Sequence, residues 1–130
     1  MIRSTVLPGT NYKVGEIIAQ ISNKVHNKDF SVVSNPEFLR EGSAVQDYYN
    51  PPYTLIGFDD NKAIDILKEL YSKVNGEFIT VDIETAEIIK YVNNSFHALK
   101  VTFANEIGRI CKKLNIDSYR VMQLFCLDTR

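Results

Sequence analysis

The chain reads as an α/β protein, a mainly parallel sheet of about four strands with crossover helices, followed by a long helix and a shorter one. Three observations predict this class. Short β-branched and aromatic runs alternate with segments whose apolar residues recur every three or four positions, the pattern of strands joined by crossover helices. Residues 85–114 (TAEIIKYVNNSFHALKVTFANEIGRICKKL) hold no Pro and only Gly108, so nothing interrupts a long helix there. The 130 residues, 45 % hydrophobic and 24 % charged, suit one ordinary globular domain with a real core.

Taken in order, residues 1–6 (MIRSTV) form a short apolar strand that Pro8-Gly9 stops. Thr10 or Asn11 can cap a helix through about Val25, with Val14, Ile17, Ile18 and Ile21 on its buried side. Residues 30–34 read as a second strand and residues 53–58 (YTLIGF) as a third. Between them lies a polar loop, residues 35–52, unusually long for a compact domain and leaving the carboxyl end of a strand, where open α/β sheets bind ligands. Asp59 or Asp60 caps a helix carrying Ile64, Leu67, Leu70, Tyr71 and Val74, and Gly76 ends it. Residues 77–81 (EFITV) are the fourth strand. Asn115 breaks the long helix, and Asp117 or Ser118 caps a last one through Val121, Leu124 and Phe125.

The long helix has two sides. Ile89, Val92, Phe96, Leu99, Phe103, Ile107, Ile110 and Leu114 keep one face apolar. Lys90, Asn94, His97 and Asn105 fall within an arc of about 80° on the other. At about 1.5 Å per residue the helix would be about 45 Å long, against a radius of gyration of about 14 Å for a domain of this size. Such a helix must protrude, bridge two domains or pack against a second copy.

Several classes are excluded by composition. A net charge of −1 with both signs mixed offers no basic face for nucleic acid. No apolar run reaches membrane-spanning length and residues 1–3 do not open a signal peptide, so the expected location is cytoplasmic. Cys111 and Cys126 lack metal-ligand spacing and read as reduced thiols, and no metal site is expected.

Three groups could carry chemistry. Glu37 and Glu41, four apart in PEFLREG, would share a side if they lay on a turn of helix, with Arg40 beside Glu41, and could form a general base or ligand-binding pair; on spacing alone a solvated turn with a weak ion pair is the favoured account. Lys90 and Asn94, one turn apart, could converge on a developing oxyanion, with His97 adding a donor. Ser4-Thr5, at a strand's carboxyl end, could meet a ligand or cap the turn.

The segments RSTVLPGT, SNPEFLREGSAVQDYYNPP and AEIIKYVNNSFHALKVTFANEIG together closely resemble the UDP-glucose/GDP-mannose 6-dehydrogenase family, essentially end to end and in family order. The resemblance implies the C-terminal part of a Rossmann-like NAD-binding domain over residues 1–84 and the start of a central helical, dimer-forming domain over residues 85–130. It implies oxidation of the C6 hydroxyl of a nucleotide sugar to a carboxylate, with two NAD and a cysteine thioester. Carried onto this sequence, Thr5, Glu37, Lys90 and Asn94 would be catalytic. Phe38, Leu39, Arg40, Glu41, His97 and Asn105 would contact the sugar nucleotide, and Ser4, Thr5 and Glu41 the cofactor. His97 and the run HALKVTFANEIG look closer to the GDP-mannose branch. The glycine-rich NAD turn and the nucleophilic cysteine of the family have no counterpart here; Cys126, in MQLFCLD, does not match it. The expectation is a central portion of a longer enzyme, inactive alone and self-associating through the long helix, with a non-catalytic interaction module as the alternative.

Overall fold

The computed structural model describes residues 1–128 and divides into two compact units, Met1–Tyr91 and Val92–Arg130. In the first, the elements are α1 (Thr10–Ser22), α2 (Ala44–Tyr49), β1 (Tyr53–Gly57), α3 (Lys62–Leu70), β2 (Glu77–Val81) and the opening turns of α4 (Ile83–Leu114). The second holds the remainder of α4 and α5 (Ser118–Phe125).

The sheet follows from residues that sit well on a pleated, half-buried surface. β1 and β2 pair in parallel with Tyr53 opposite Glu77 and Gly57 opposite Val81, and α3 is the connection between them. Ile64, Leu67 and Tyr71 come from one side of α3 and its end, and they meet Val33 and Ile56 in the core. Leu70, expected on that side, is exposed. The cap position of α3 is Asn61, while the Asp60 carboxylate accepts from the Lys62 N–H at 3.1 Å and the Ser31 hydroxyl at 2.8 Å.

The first two expected strands are reduced to bridging pairs around Ser34, one with Ile2 and one with Gly57. The reason is local. The carbonyl of Leu55 accepts from the Asn35 side-chain amide at 2.9 Å, so a side chain stands where a neighbouring strand would pair. The Tyr71 hydroxyl donates to the Asn35 Oδ1, which completes that buried amide.

α1 also departs from expectation. It stops at Ser22 because Asn23 takes a left-handed conformation (φ 54°), and Ile17, Ile18 and Ile21 lie exposed. The residues α1 buries are Asn11 and Gly15. A Cβ at Gly15 would lie 3.1 Å from the His26 ring, so this helix packs by its small side. The long loop is not wholly irregular, since α2 forms within it.

α4 starts two residues before the expected Thr85. Asp82 caps it, accepting from the Thr85 N–H at 2.8 Å and the Thr85 hydroxyl at 2.6 Å. The larger correction concerns its faces. In the first unit the buried stripe is Ile83, Ala86, Glu87 and Lys90, at helical spacing, so Lys90 is buried rather than on a solvated side. Val92, Phe96, Leu99, Phe103, Ile110 and Leu114 are exposed. In the second unit Asn115 (φ 53°) ends α4, and Asp117 caps α5 through the Tyr119 and Arg120 N–H groups. The rings of Phe103 and Phe125 then lie 5.5 Å apart.

The end of β1 meets the first turn of α4 closely enough to require glycine. A Cβ on Gly57 would stand 2.4 Å from the Ala86 Cβ. Gly57→Ala is therefore expected to destabilise the chain by about 1–3 kcal/mol in urea unfolding. Adding Ala86→Gly should restore only part of the loss, because the Asp82 carbonyl and the Ile83 Cα each lie 3.0 Å from the same point.

Candidate functional site

The site is built where the loop after Ser34 crosses the opening turns of α4. Ser34, Asn35 and Pro36 are buried, which anchors the loop's first residues, and Glu37 and Phe38 emerge half-buried. Lys90 reaches this point from the buried stripe of α4. Its Nζ donates to the Glu37 carbonyl at 2.5 Å and lies 3.0 Å from the Glu37 carboxylate. It also stands 5.5 Å from the centroid of the Phe38 ring, which is itself edge-on to Tyr53 at 5.3 Å. A buried ammonium is tolerated because it has this anion, this carbonyl and this π face. An ammonium carries three donors. Two are used by Glu37, and the third has no hydrogen-bond partner among the described residues.

Partial burial pushes the Glu37 carboxyl upward. The Leu39 N–H, at 2.7 Å, and the Lys90 ammonium outweigh that, with Arg3 adding to them, so the group ends below its ordinary value of 4.5. In this arrangement Glu37 is an ion-paired carboxylate, not a base primed by burial.

Arg40 does not pair with Glu41. It holds Asp47 through two donors, Nε at 3.1 Å and Nη2 at 2.7 Å. The Arg40 N–H and the Ser43 hydroxyl donate to the same carboxylate at 3.0 and 2.9 Å. The Arg40 guanidinium and these donors keep the Asp47 carboxyl far below the usual carboxylate range. Glu37 and Glu41 share no helical turn, since the chain from 37 to 40 is irregular, and Glu41 is exposed.

Ser4 and Thr5 lie exposed on the segment leading to α1, and Leu39 is exposed on the loop. Asn94, His97 and Asn105 are exposed residues of α4 in the second unit. Of the expected site residues, the structure thus joins Glu37, Phe38 and Lys90 directly, while the exposed Arg40 pairs with Asp47 of its own loop.

Glu87 escapes a reading by spacing, and Asn11, expected as a possible cap of α1, lies inside that helix, whose cap position is Gly9. Glu87 is 2 % exposed, and its carboxylate accepts from the Gly9 N–H at 2.6 Å, the Asn11 N–H at 2.9 Å and the Asn11 side-chain amide at 2.7 Å. A carboxylate from a distant helix thereby caps α1, whose own first turn has no acidic residue. That lack was the one available signal. A helix start of this kind is where a phosphate could bind; here the chain's own anion occupies it. With no glycine-rich turn in the sequence either, these residues do not fit the pyrophosphate of a dinucleotide.

Comparison with known proteins agrees with this architecture. Residues 1–75 match the NAD binding domain of the UDP-glucose/GDP-mannose dehydrogenase family, and residues 84–130 match its central domain. The chain belongs to that family. The GDP-mannose 6-dehydrogenase of Pseudomonas aeruginosa is 48 % identical over 129 residues, which cover 98 % of this chain and 30 % of the relative. A crystal structure of a ternary complex of the GDP-mannose dehydrogenase from Pseudomonas aeruginosa superposes with a TM-score of 0.93 at 47 % identity, covering 98 % of this chain and 30 % of that one. A UDP-glucose dehydrogenase from the archaeon Pyrobaculum islandicum gives 0.91 at 43 % identity, over 98 % and 29 %. The chain spans about 30 % of the length of the curated relatives it matches. No helix among the described residues is long and apolar enough to cross a membrane.

The Glu37 carboxyl gives a direct measure of the site. A group whose folded pKa is depressed contributes stability above its unfolded value and loses it as pH falls through the folded one. Carbon-13 NMR of Glu37 is expected to show a midpoint below 4.5. Lys90→Met should raise that midpoint and flatten the acid side of the stability profile, while the Leu39 N–H retains part of the depression.

Proposed function

We propose that this chain supplies the oxyanion-stabilising and acid–base part of the active site of an NAD-dependent nucleotide-sugar 6-dehydrogenase. The reaction is oxidation of the C6 hydroxyl of GDP-mannose or UDP-glucose to a carboxylate. The observation that carries the reading is the Lys90 ammonium, buried beside Glu37 with a donor to spare. Taking a primary alcohol to an acid develops negative charge on oxygen, and a desolvated cation stabilises it far better than water does. Lys90 donates to that oxygen, and the Asn94 carboxamide is the second donor. Glu37 exchanges protons with the attacking water, which requires the Lys90 ammonium to shift from its carboxylate toward the substrate. Thr5 orients that water. Phe38, Leu39, Arg40, Glu41, His97 and Asn105 contact the nucleotide sugar, and Ser4, Thr5 and Glu41 border the cofactor. The hydride acceptor's pyrophosphate cradle and the thiol nucleophile fall to other residues. Identity to the Pseudomonas GDP-mannose enzymes, 47–48 % against 43 % for the archaeal UDP-glucose enzyme, supports GDP-mannose as the substrate.

Two measurements test this. The 130-residue chain mixed with NAD and either sugar nucleotide should form no NADH; turnover would contradict the division of labour. Millimolar GDP-mannose added to the nitrogen-15-labelled chain should perturb the amides of residues 37–40, and Lys90→Met should weaken the response. No perturbation by either sugar nucleotide would sink the reading.

A separate observation favours a second role for the second unit. Phe96, Leu99 and Phe103 on α4 and Phe125 on α5 line a groove with almost no polar surface. Such an apolar surface suits packing of the long helices of two copies into a homodimer. Sedimentation equilibrium should give a dimer or larger species, weakened by Phe96→Ser; a monodisperse monomer would overturn it.

A further inference from the structure

We propose that Glu87 is a positioning residue for Lys90, locking the opening turns of α4 and the Ser4-Thr5 segment into one frame through its grip on the start of α1. The inference rests on the dehydrogenase reading only for the task assigned to Lys90; the mechanical link stands on contacts.

Glu87 lies three residues before Lys90 on the same buried stripe. Its two carboxylate oxygens are both committed, one to the Gly9 N–H and one to the backbone and side-chain N–H groups of Asn11. Gly9 (φ 86°) is four residues beyond Thr5, so the same contact ends the free run of the Ser4-Thr5 segment. Besides an exposed hydrogen bond from the Tyr12 hydroxyl to Glu84 at 3.2 Å, two contacts fix this part of α4, the Asp82 cap and the approach of Ala86 to Gly57. Those two hold where the helix starts. Among these, the Glu87 contact is the buried polar one that opposes rotation of the helix about its own axis, and rotation is what would carry the Lys90 ammonium away from Glu37.

Asn11 supplies independent support. It is fully buried, yet its Oδ1 has no hydrogen-bond partner among the described residues. A buried acceptor left unmade is costly, and native structures rarely keep one without a return. The return here is the orientation of the Asn11 amide toward Glu87. The cap position of α1 is Gly9, with no side-chain cap, so Asn11 does not serve as a local cap. The Asn is explained by the distant carboxylate it meets.

The test reads the geometry around Lys90, not stability or turnover. Glu87→Gln keeps the shape but puts an amide donor against N–H groups. The Glu37 carboxyl midpoint, followed by carbon-13 NMR on the 130-residue chain, should rise in the same direction as in Lys90→Met and by less. Ile64→Val, a core change of similar effect on urea stability, should leave it where it was. An unmoved midpoint in folded Glu87→Gln overturns the proposal, and so does an equal rise in Ile64→Val. Should Glu87→Gln fail to fold, Asn11→Ala keeps both backbone N–H contacts and removes only the side-chain one. It is expected to give a smaller rise, and no rise overturns the proposal. Because no substrate enters the measurement, failure of the sugar-nucleotide experiment would leave this result standing, and the reverse holds too.

Discussion

Two opposite charges buried on one stripe of a helix set the terms for the rest of the first unit. Glu87 and Lys90 project from α4 into the protein with Ile83 and Ala86, at 2 % and 7 % exposure. An ionised group taken out of water without a partner costs several kcal/mol, so each must find a complete set of contacts from elsewhere in the chain. Glu87 finds the amide groups at the start of α1, and Lys90 finds Glu37 and the face of Phe38. Satisfying the two charges therefore brings three sequence-distant segments to one place.

The loop that carries Glu37 is held in the same spirit, by polar groups doing structural tasks. Asn35 bonds the Leu55 carbonyl and receives the Tyr71 hydroxyl, tying the loop's root to β1 and α3. Farther along, Asp47 gathers Arg40 and Ser43 and gives the loop a centre of its own. Glu37 and Phe38 lie between these two anchors, so the loop holds them from both ends. Both anchors lie in the part of the chain that matches the NAD binding domain of the UDP-glucose/GDP-mannose dehydrogenase family.

Much of the element order was legible. β2 falls on the stretch EFITV because a β-branched and aromatic run between Gly76 and Asp82 has no competing period. Asn115 and Asp117 marked the break and the cap between α4 and α5, both local effects of single side chains. Of the candidate residues that PEFLREG and the Lys90–Asn94 spacing offered, Glu37 and Lys90 do meet, a contact that spacing along the chain does not show. Spacing misled wherever the deciding partner was not an adjacent residue. Arg40 looked paired with its neighbour Glu41 and instead took Asp47. Ile17, Ile18 and Ile21 looked like a buried face, yet α1 buries Asn11 and Gly15.

The amino-acid sequence by itself determined the class of fold, the break and cap between α4 and α5, and the family to which the chain belongs, because these depend on periodicity, on single capping side chains and on motifs read along the chain. Tertiary structure alone decided which face of α4 is buried and who satisfies its charges. Periodicity sorts residues onto faces but cannot say which face meets protein. A polar residue such as Glu87 or Lys90 passes for surface until its partners, more than fifty residues away, are folded against it.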